Sequence, residues 1–370
     1  MPGALRSPLA CAVVASPYEL AHDELAELLE GEPRYRVAQV WRALWERGAR
    51  PEEMTELPRS LREVLGDLLR PALAEQARSA AADGQTVKWL FSLHDGAELE
   101  TVLMLYPDRA TVCVSSQAGC AMGCSFCATG QAGFRRQLST AEMVEQVVVA
   151  RRAALPRRLR NVVFMGMGEP LANYDRVWAA VRHLHDDMGL SARHLTLSTV
   201  GVVPGIRRLA AEDLPVNLAV SLHAARDELR DRVVPLNRRY PLSVLMGACA
   251  EYVAAKNRRL SFEWAMIDGV NDTARDADEL AELALPLGAH VNLIPLNPTS
   301  GYSGRGTPGP ALKEFWALLA ARGVNATVRA NRGTDIDAAC GQLAARSGAS
   351  SRTGAPTSRA VAVRAPRVPH

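Results

Sequence analysis

Three cysteines lie within eight residues of one another, and their spacing constrains the fold and chemistry of the chain more than any other feature. Cys120, Cys124 and Cys127 form a CxxxCxxC pattern in a chain of 370 residues that holds only seven cysteines. Thiols that cluster in this way indicate a metal or iron–sulfur site. The alternative is three unrelated thiols, buried or on the surface, which leaves their close spacing unexplained.

The spacing favours an iron–sulfur cluster over structural zinc. Structural zinc takes four protein ligands, commonly as two separated pairs. Neither a second CxxC nor an HxxxH pattern occurs in the chain. Three close cysteines suit a four-iron, four-sulfur (4Fe–4S) cluster in which one iron has no protein ligand. A small molecule is able to coordinate and react at that open iron.

The residues around the cysteines resemble a known enzyme family. The three cysteines are similar to the signature of the radical S-adenosylmethionine (SAM) superfamily, in which the open iron chelates the amino and carboxylate groups of SAM. The resemblance to the RlmN-type RNA adenine methyltransferases is more specific and runs in order from about Pro17 to Ala344. The stretches that match most closely are 111–120, 164–170 and 336–343.

The resemblance implies an activity and a set of cofactors. It implies methylation of carbon 2 of an adenine in 23S ribosomal RNA, and in transfer RNA next to the anticodon. It also implies one 4Fe–4S cluster on the three cysteines, two SAM molecules per turnover, a flavodoxin-like electron donor and a thiol reductant. The SAM contacts that it implies are Gly168, Glu169, Ser198, Ser221, Leu222, His223 and Asn297. Without the resemblance, each polar residue of this set is more often a hydrogen-bonded residue at the end of a strand.

Cys113 and Cys340 are candidate catalytic thiols. The adenine carbon is electrophilic and carries no acidic hydrogen, so it cannot attack the methyl group of SAM directly. The resemblance implies a covalent relay instead. Cys340 accepts a methyl group from one SAM, a radical from a second SAM removes a hydrogen from that methyl group, and the carbon adds to the base as a protein–RNA adduct. Cys113 then assists loss of the ring hydrogen and closes a transient disulfide with Cys340. Glu100 occupies the position proposed as the proton acceptor.

Taken alone, Cys340 carries a weaker signal. A single cysteine in an intracellular protein is usually a small buried hydrophobe. The nearby Asp335 and Asp337 would raise the pKa of its thiol, which argues against simple activation. The match of the flanking residues outweighs both points. Cys11 and Cys249 receive no function, and Cys249 is expected in the core because it lies in the apolar helix predicted at 242–255.

Strands and helices alternate from Ala110 onward, which predicts a parallel sheet with helices outside it. The predicted strands are 110–117, 161–166, 194–200, 216–222, 260–267, 290–296 and 325–330. The motifs fall at the carboxyl ends of these strands, where barrel enzymes carry their catalytic groups. The fold class is therefore α/β, and the resemblance implies a partial (β/α) TIM-like barrel, the radical SAM core. A capping box at 139–142 opens the first predicted helix.

The chain is expected to divide into five parts. In order, these are a leader (1–16), a helical accessory RNA-binding domain (17–82), a β-hairpin linker (83–108), the radical SAM catalytic domain (109–344) and a disordered basic tail (345–370). The arginines between residues 34 and 50 interleave with aromatic residues. That pattern fits an RNA-docking module or a plain packing domain, and the resemblance favours the module. The tail has five arginines, no acidic residue and too few apolar side chains to order itself.

Composition indicates the cellular compartment in which the protein is expected. The apolar patch at 9–15 follows a single arginine and precedes acidic residues, so it is not predicted to be a signal peptide. The apolar runs are too short to span a bilayer. We therefore expect a cytoplasmic monomer with reduced thiols and no membrane partner. The net charge is +3, and removing the five tail arginines leaves −2 on residues 1–344, so local patches must hold any RNA.

Three alternatives stay open. Cfr-type sister enzymes share the cysteines and methylate carbon 8 of adenine, although the long match outside the cluster favours carbon 2. A zinc-bound RNA-binding module without catalysis would need neither Glu169 nor Cys340. Another superfamily member that acts on a protein or a small molecule would leave the Cys113–Cys340 pair unexplained.

Overall fold

The computed structural model describes residues 16–343. The expected leader up to residue 15, with Cys11, and the expected basic tail at 345–370 lie outside the described residues. Within the described range, no helix is both long enough and apolar enough to cross a membrane.

Three short helices form the N-terminal part and pack on later helices of the chain. They are α1 (His22–Leu28), α2 (Tyr35–Trp45) and α3 (Arg59–Leu68). The ring of Trp45 is buried and stacks on His183, with centroids 4.8 Å apart. Arg151 donates a hydrogen bond to the carbonyl of Trp45. The Trp45 ring is thus used for packing, and whether this part also docks RNA stays a prediction.

The prediction of helices up to residue 82 is wrong for its last segment. Strand β1 (Ala74–Ala80) pairs antiparallel with β2 (Thr86–Ser92), which forms a hairpin with β3 (Glu98–Leu105). Nearly all side chains of β1 are exposed, so no alternation of apolar and polar residues marks it as a strand. The predicted turn between β2 and β3 is confirmed, and Gly96 takes a φ of 73° there.

Within residues 16–343, ten strands form one sheet, and its parallel part confirms the seven predicted strand positions. The strands that follow β3 are β4 (Ala110–Cys113), β5 (Gln117–Gly119), β6 (Phe134–Gln137), β7 (Leu159–Phe164), β8 (Leu195–Thr199), β9 (Asn217–Ser221), β10 (Leu260–Met266), β11 (His290–Pro295) and β12 (Ala326–Val328). The order is β1-β2-β3-β4-β7-β8-β9-β10-β11-β12, and β5 and β6 pair separately. The neighbours from β4 to β12 are parallel. Because β3 also pairs with β4, the predicted linker is continuous with the catalytic sheet.

Helices follow the parallel strands, as predicted. They are α4 (Ala128–Ala132), α5 (Thr140–Ala154), α6 (Tyr174–Asp186), α7 (Val203–Ala211), α8 (Asp227–Val233), α9 (Leu242–Lys256), α10 (Ala274–Ala284) and α11 (Gly309–Ala321). The predicted capping box is present at α5, where the Glu142 N–H donates to Ser139 Oγ at 3.2 Å. Apolar side chains of the sheet and the helices form a large core, which includes the fully buried Cys249, and a smaller cluster lies around Phe126.

The segment after β12 joins the two edges of the open sheet. Asp335 accepts a hydrogen bond from the Ala82 N–H at 2.8 Å, just beyond β1. Lys88, on β2, donates to the carbonyl of Asp337 at 3.1 Å. Residues from β3 to β12 line a single cavity, so the sheet curls into a partial barrel and this segment spans its gap. Cys340 lies in the same segment.

Candidate active site

One cavity of about 770 Å³ follows the inside of the curved sheet and meets most of the motifs found in the sequence. At the carboxyl ends of the parallel strands it is lined by Cys120, Cys124, Cys127, Gly168, Glu169, Ser198, Ser221, His223, Asn297 and Cys340. At their amino ends it is lined by Arg109, Arg193, His194, Arg259 and His290. The cavity therefore has a thiol-rich end and an arginine-rich end.

The three clustered cysteines lie together at the thiol-rich end. Burial raises the pKa of Cys120 to about 12, and the nearby Cys127 adds to this. Burial also raises the pKa of Cys124, with further contributions from Cys127 and Cys120. The three sulfur atoms are thus close enough to repel one another as thiolates. Bound iron would relieve that repulsion, since a coordinated thiol is deprotonated.

The three thiols provide the protein ligands that a 4Fe–4S cluster with one open iron requires. Among residues 16–343, no three His, Cys, Asp or Glu side chains converge on a position for one metal ion. In a 4Fe–4S cluster each cysteine binds a different iron, so its ligands stand apart around the cavity. Cys120, Cys124 and Cys127 are the residues that would hold such a cluster.

The loop after β7 brings Gly168 and Glu169 to the cavity. Gly168 has a φ of 103°, and a Cβ there would lie 2.5 Å from Cβ of Gln117, so only glycine fits. Glu169 accepts hydrogen bonds from the N–H groups of Leu171 at 3.0 Å and Val200 at 2.8 Å. Burial raises its pKa to about 7 in spite of these bonds. The loop thus holds a carboxyl group in a fixed orientation beside the cysteines.

Replacing Gly168 with alanine is expected to lower the melting temperature and to weaken SAM binding. The new Cβ would push the loop away from Gln117 and displace Glu169. We expect a cost of about 2 kcal/mol for this strain. Thermal unfolding and equilibrium binding of SAM measure the two effects.

Gly247→Ala is the matched control for that variant. Gly247 lies in α9 with no atom within 4 Å of the added Cβ. Alanine is favoured in a helix, so this variant should gain about 0.5–1 kcal/mol. Equal melting temperatures for the two variants would contradict the strain at Gly168.

The structure brings Ser198 and Ser221 to the cavity but leaves Leu222 out of it. Ser198 lies on β8, and Ser221 ends β9. The side chain of Leu222 is fully buried in the core. Its N–H donates to the carbonyl of Glu263 at 3.0 Å, and its carbonyl accepts from Arg230 at 3.0 Å. Both backbone groups of Leu222 are therefore already used.

His223 is held as a neutral hydrogen-bond donor. Its Nδ1 accepts from the Ala265 N–H at 3.0 Å, so Nε2 carries the hydrogen. Burial, with the charge of Arg230, lowers its pKa to about 3. Its φ of 59° is unusual for a residue with a side chain. Strain of this kind is often retained where a side chain must point into a site.

Cys113 and Cys340 line the same cavity although 227 positions separate them in the sequence. Both are free thiols. Burial, followed by the proximity of Cys340, raises the pKa of Cys113. Cys340 is exposed as a residue, but burial of its thiol group against the cavity wall raises its pKa, and Glu263 is the next largest cause. The fold thus brings together the two thiols that the sequence singled out.

Asn297 supports the Cys340 segment. Its Nδ2 donates to the carbonyl of Cys340 at 3.1 Å, and its Oδ1 accepts from Asn331 at 2.7 Å. The backbone N–H of Ala128, next to the cluster cysteines, donates to the carbonyl of Gly341 at 2.8 Å. Cys340 is therefore tied to both the predicted SAM residues and the cysteine loop.

Glu100 is close to this site but does not line the cavity. Its side chain is buried and forms an ion pair of 2.8 Å with Lys88. Lys88 also donates to the carbonyl of Asp337, three residues before Cys340. In this conformation Glu100 is linked to the Cys340 segment and does not contact the space where a base would react.

Sequence reasoning missed the arginine-rich end of the cavity and the buried Glu263. The arginine-rich end does have a signal in the sequence, because its basic residues stand at or just before the starts of successive strands. These residues are Arg109 before β4, Arg193 and His194 before β8, Arg259 before β10 and His290 at the start of β11. Glu263 has no such signal, since every residue of β10 is buried and no alternation shows which side chains face inward.

Comparisons with known proteins find close relatives. The model of the radical SAM superfamily matches residues 114–284. A curated relative from Salinispora tropica, named as a probable dual-specificity RNA methyltransferase RlmN, is 56% identical over 86% of this chain and 89% of its own length. A relative of the same name from Chloroflexus aurantiacus is 48% identical over 89% of this chain and 92% of its own length. The crystal structure of a radical SAM methyltransferase from Sphaerobacter thermophilus superposes with a TM-score of 0.86 at 49% identity, covering 90% of this chain and 99% of that one.

Proposed function

The chain belongs to the RlmN-type family of radical SAM RNA methyltransferases, and on that premise we propose that it methylates carbon 2 of an adenine through a relay between Cys340 and Cys113. Family membership makes the chain an enzyme that acts on RNA and uses SAM and a 4Fe–4S cluster. A non-catalytic zinc-bound module is therefore excluded. The 23S ribosomal and transfer RNA substrates, and the two SAM molecules per turnover, are part of the proposal.

The observation that carries the proposal is the shared cavity of Cys113 and Cys340. The two thiols line the same cavity as the cysteine loop, the predicted SAM residues and the arginine-rich end. A base that enters this cavity would therefore share one space with both thiols and the SAM site. When bound, the cluster supplies the electron that splits SAM into methionine and a 5′-deoxyadenosyl radical.

The residues of the chain have distinct roles in this proposal. The Cys340 thiolate forms a bond to the methyl carbon of SAM, and S-adenosylhomocysteine leaves. After hydrogen is removed from that methyl group, its carbon bonds to carbon 2 of the base. The adduct would return one electron to the oxidised cluster, and the ring hydrogen leaves as a proton taken up by a base. The Cys113 thiolate then attacks the Cys340 sulfur, the S–C bond breaks and a disulfide forms. The released methylene carbon takes up a proton to become the methyl group of methyladenine, so a thiol reductant must restore both cysteines.

The residues proposed to contact SAM hold the bound molecule in a fixed orientation. Glu169 offers carboxylate oxygens to the SAM ammonium, and the neutral His223 offers an Nε2–H to a SAM oxygen. Ser198, Ser221 and Asn297 add donors and acceptors at the same end. For Glu100 to act as the proton acceptor, its ion pair with Lys88 must open, and the Cys340 segment must move with it.

Methylation of total RNA with labelled SAM under anaerobic, reducing conditions tests the function. We expect labelled 2-methyladenosine in nucleoside digests of ribosomal and transfer RNA. Label in 8-methyladenosine would assign the chain to the Cfr-type chemistry. Label confined to Cys340, with none in any RNA, would remove RNA methylation from the proposal.

Replacing Arg193 and Arg259 together with alanine is expected to weaken RNA binding. Both side chains are exposed and line the arginine-rich end, where they are free to contact phosphates. Each lost phosphate contact should reduce the slope of log Kd against log salt concentration by about 1. RNA binding at several salt concentrations measures this slope.

Arg182 and Arg207 provide the control for that pair. They pair with Asp213 and Glu251 on the outer helices, away from the cavity. Their double alanine variant loses the same two charges but should keep the salt slope of the unmodified enzyme. An equal loss of slope in both double variants would show that net charge alone matters, and that the arginine-rich end is not the RNA contact.

A further inference from the structure

Glu263 is a buried carboxylate on the cavity wall that the relay does not use. It lies in the middle of β10 and is 7% exposed. Its Oε1 accepts two hydrogen bonds, from Ser261 Oγ at 2.9 Å and from Asn292 Nδ2 at 2.8 Å. Among residues 16–343, no group donates to Oε2, and this atom is not sealed from the cavity. Because Oε2 is open to the cavity, a ligand or a water molecule is able to donate a hydrogen bond to it.

The position of Glu263 lies on the path of an entering base. Ser261 on β10 and Arg259 just before this strand precede it toward the arginine-rich end. In the strand register it stands opposite Ser221 on β9. Glu263 and Cys340 line the same cavity. A base that approaches Cys340 from the arginine-rich end therefore passes Oε2.

We propose that Oε2 of Glu263 accepts a hydrogen bond from the exocyclic amino group of the target base and thereby selects adenine. This inference rests on the proposed function. Adenine has an amino group at position 6, whereas guanine and hypoxanthine have a carbonyl oxygen there. The amino group of adenine can donate a hydrogen bond to Oε2. The carbonyl oxygen of guanine or hypoxanthine would face Oε2 as a second acceptor and leave both oxygens without a donor, which disfavours binding of these bases.

The two donors on Oε1 make Glu263→Gln an informative variant. Ser261 and Asn292 both need an acceptor, so the glutamine carbonyl oxygen should take the place of Oε1. The amide NH₂ then takes the place of Oε2 and faces the cavity. A donor replaces an acceptor with little change in shape. The variant should therefore repel the adenine amino group and favour the carbonyl of hypoxanthine.

Binding of three RNA hairpins tests the inference without turnover. The hairpins carry adenosine, purine riboside or inosine at the target position, and the enzyme holds its cluster and SAM but no reductant. For the unmodified enzyme we expect the adenosine hairpin to bind about 10-fold tighter than the purine hairpin, with inosine weakest. For Glu263→Gln we expect the affinity for the adenosine hairpin to fall about 10-fold. The inosine hairpin should then bind at least as tightly as the adenosine hairpin. An unchanged order of the three hairpins in the variant would overturn the inference.

Methylation of Cys340 by SAM, read by intact-protein mass, separates this inference from the proposed function. Glu263→Gln should keep that methylation, because the step needs no RNA. Loss of it would show that Glu263 serves the thiol or SAM, and would also overturn the inference. If the unmodified enzyme methylates no RNA, the proposed function fails, whereas the order of the hairpins still decides the role of Glu263.

Two further variants keep the inference testable if Glu263→Gln does not fold. Ser261→Ala removes one donor from Oε1 and lets the carboxylate rotate, so the preference for adenosine over purine should narrow. An unchanged preference in Ser261→Ala would count against the inference, even if Glu263→Gln fails to fold. Glu228→Gln, an exposed carboxylate on α8, is the matched control and should leave the order of the hairpins unchanged.

Discussion

Replacing Cys340 with alanine is expected to lower RNA methylation by at least about 10³-fold, because no other group can carry the methyl carbon to the base. The side chain lines the same cavity as Cys113. The Asn297 side chain donates to the carbonyl of Cys340, and the Ala128 N–H donates to the carbonyl of Gly341, so neither bond uses the thiol. The alanine variant should therefore keep its fold and its SAM binding. Two measurements check the result: labelled methyl groups in RNA, and the mass of one methyl group on the protein. Both should disappear.

The control for Cys340→Ala is Cys249→Ala. Cys249 is fully buried in α9, away from the cavity, and no step of the relay involves it. That variant should lose some stability through the lost sulfur atom and keep both methylation signals. If Cys340→Ala still methylated RNA at a comparable rate, the methyl group would have to pass directly from SAM to the base, and the relay would be wrong.

The sequence alone was enough to predict the chemistry-bearing end of the cavity. Cys120, Cys124 and Cys127 lie within eight residues of one another, so their spacing carries the signal without any knowledge of the fold. The alternation of strands and helices then predicted that later motifs, such as Glu169 and His223, would reach the same end of the sheet. The Cys113–Cys340 pair was predicted by resemblance, because neither residue shows in its own surroundings that the other is near.

Other parts of the structure have weaker signals in the sequence. Strand β1 is an exposed edge strand, and the pairing with β2 that forms it depends on tertiary contacts rather than on its own pattern. Leu222 lies between two cavity residues, and only the structure shows its side chain in the core. Glu263 belongs to a strand that is buried on both faces, where the direction of each side chain depends on the curvature of the sheet.

Replacing Cys113 with alanine is expected to convert the enzyme into one that stays covalently bound to its RNA. Cys340 still receives its methyl group and still adds to the base, because neither step uses the second thiol. Release needs a nucleophile that attacks the Cys340 sulfur and breaks the S–C bond, and Cys113 is the residue placed to do so. Product should fall to a trace, while a protein–RNA species accumulates. Denaturing electrophoresis with and without ribonuclease measures that species.

The double variant Cys113→Ala, Cys340→Ala is the control that ties the adduct to Cys340. It lacks the attachment point, so no ribonuclease-sensitive species should form. Cys113 is buried on β4 and alanine is only slightly smaller, so the single variant should remain folded. Clean turnover by Cys113→Ala would remove the second thiol from the mechanism. Release would then have to use an external thiol that reaches the exposed Cys340.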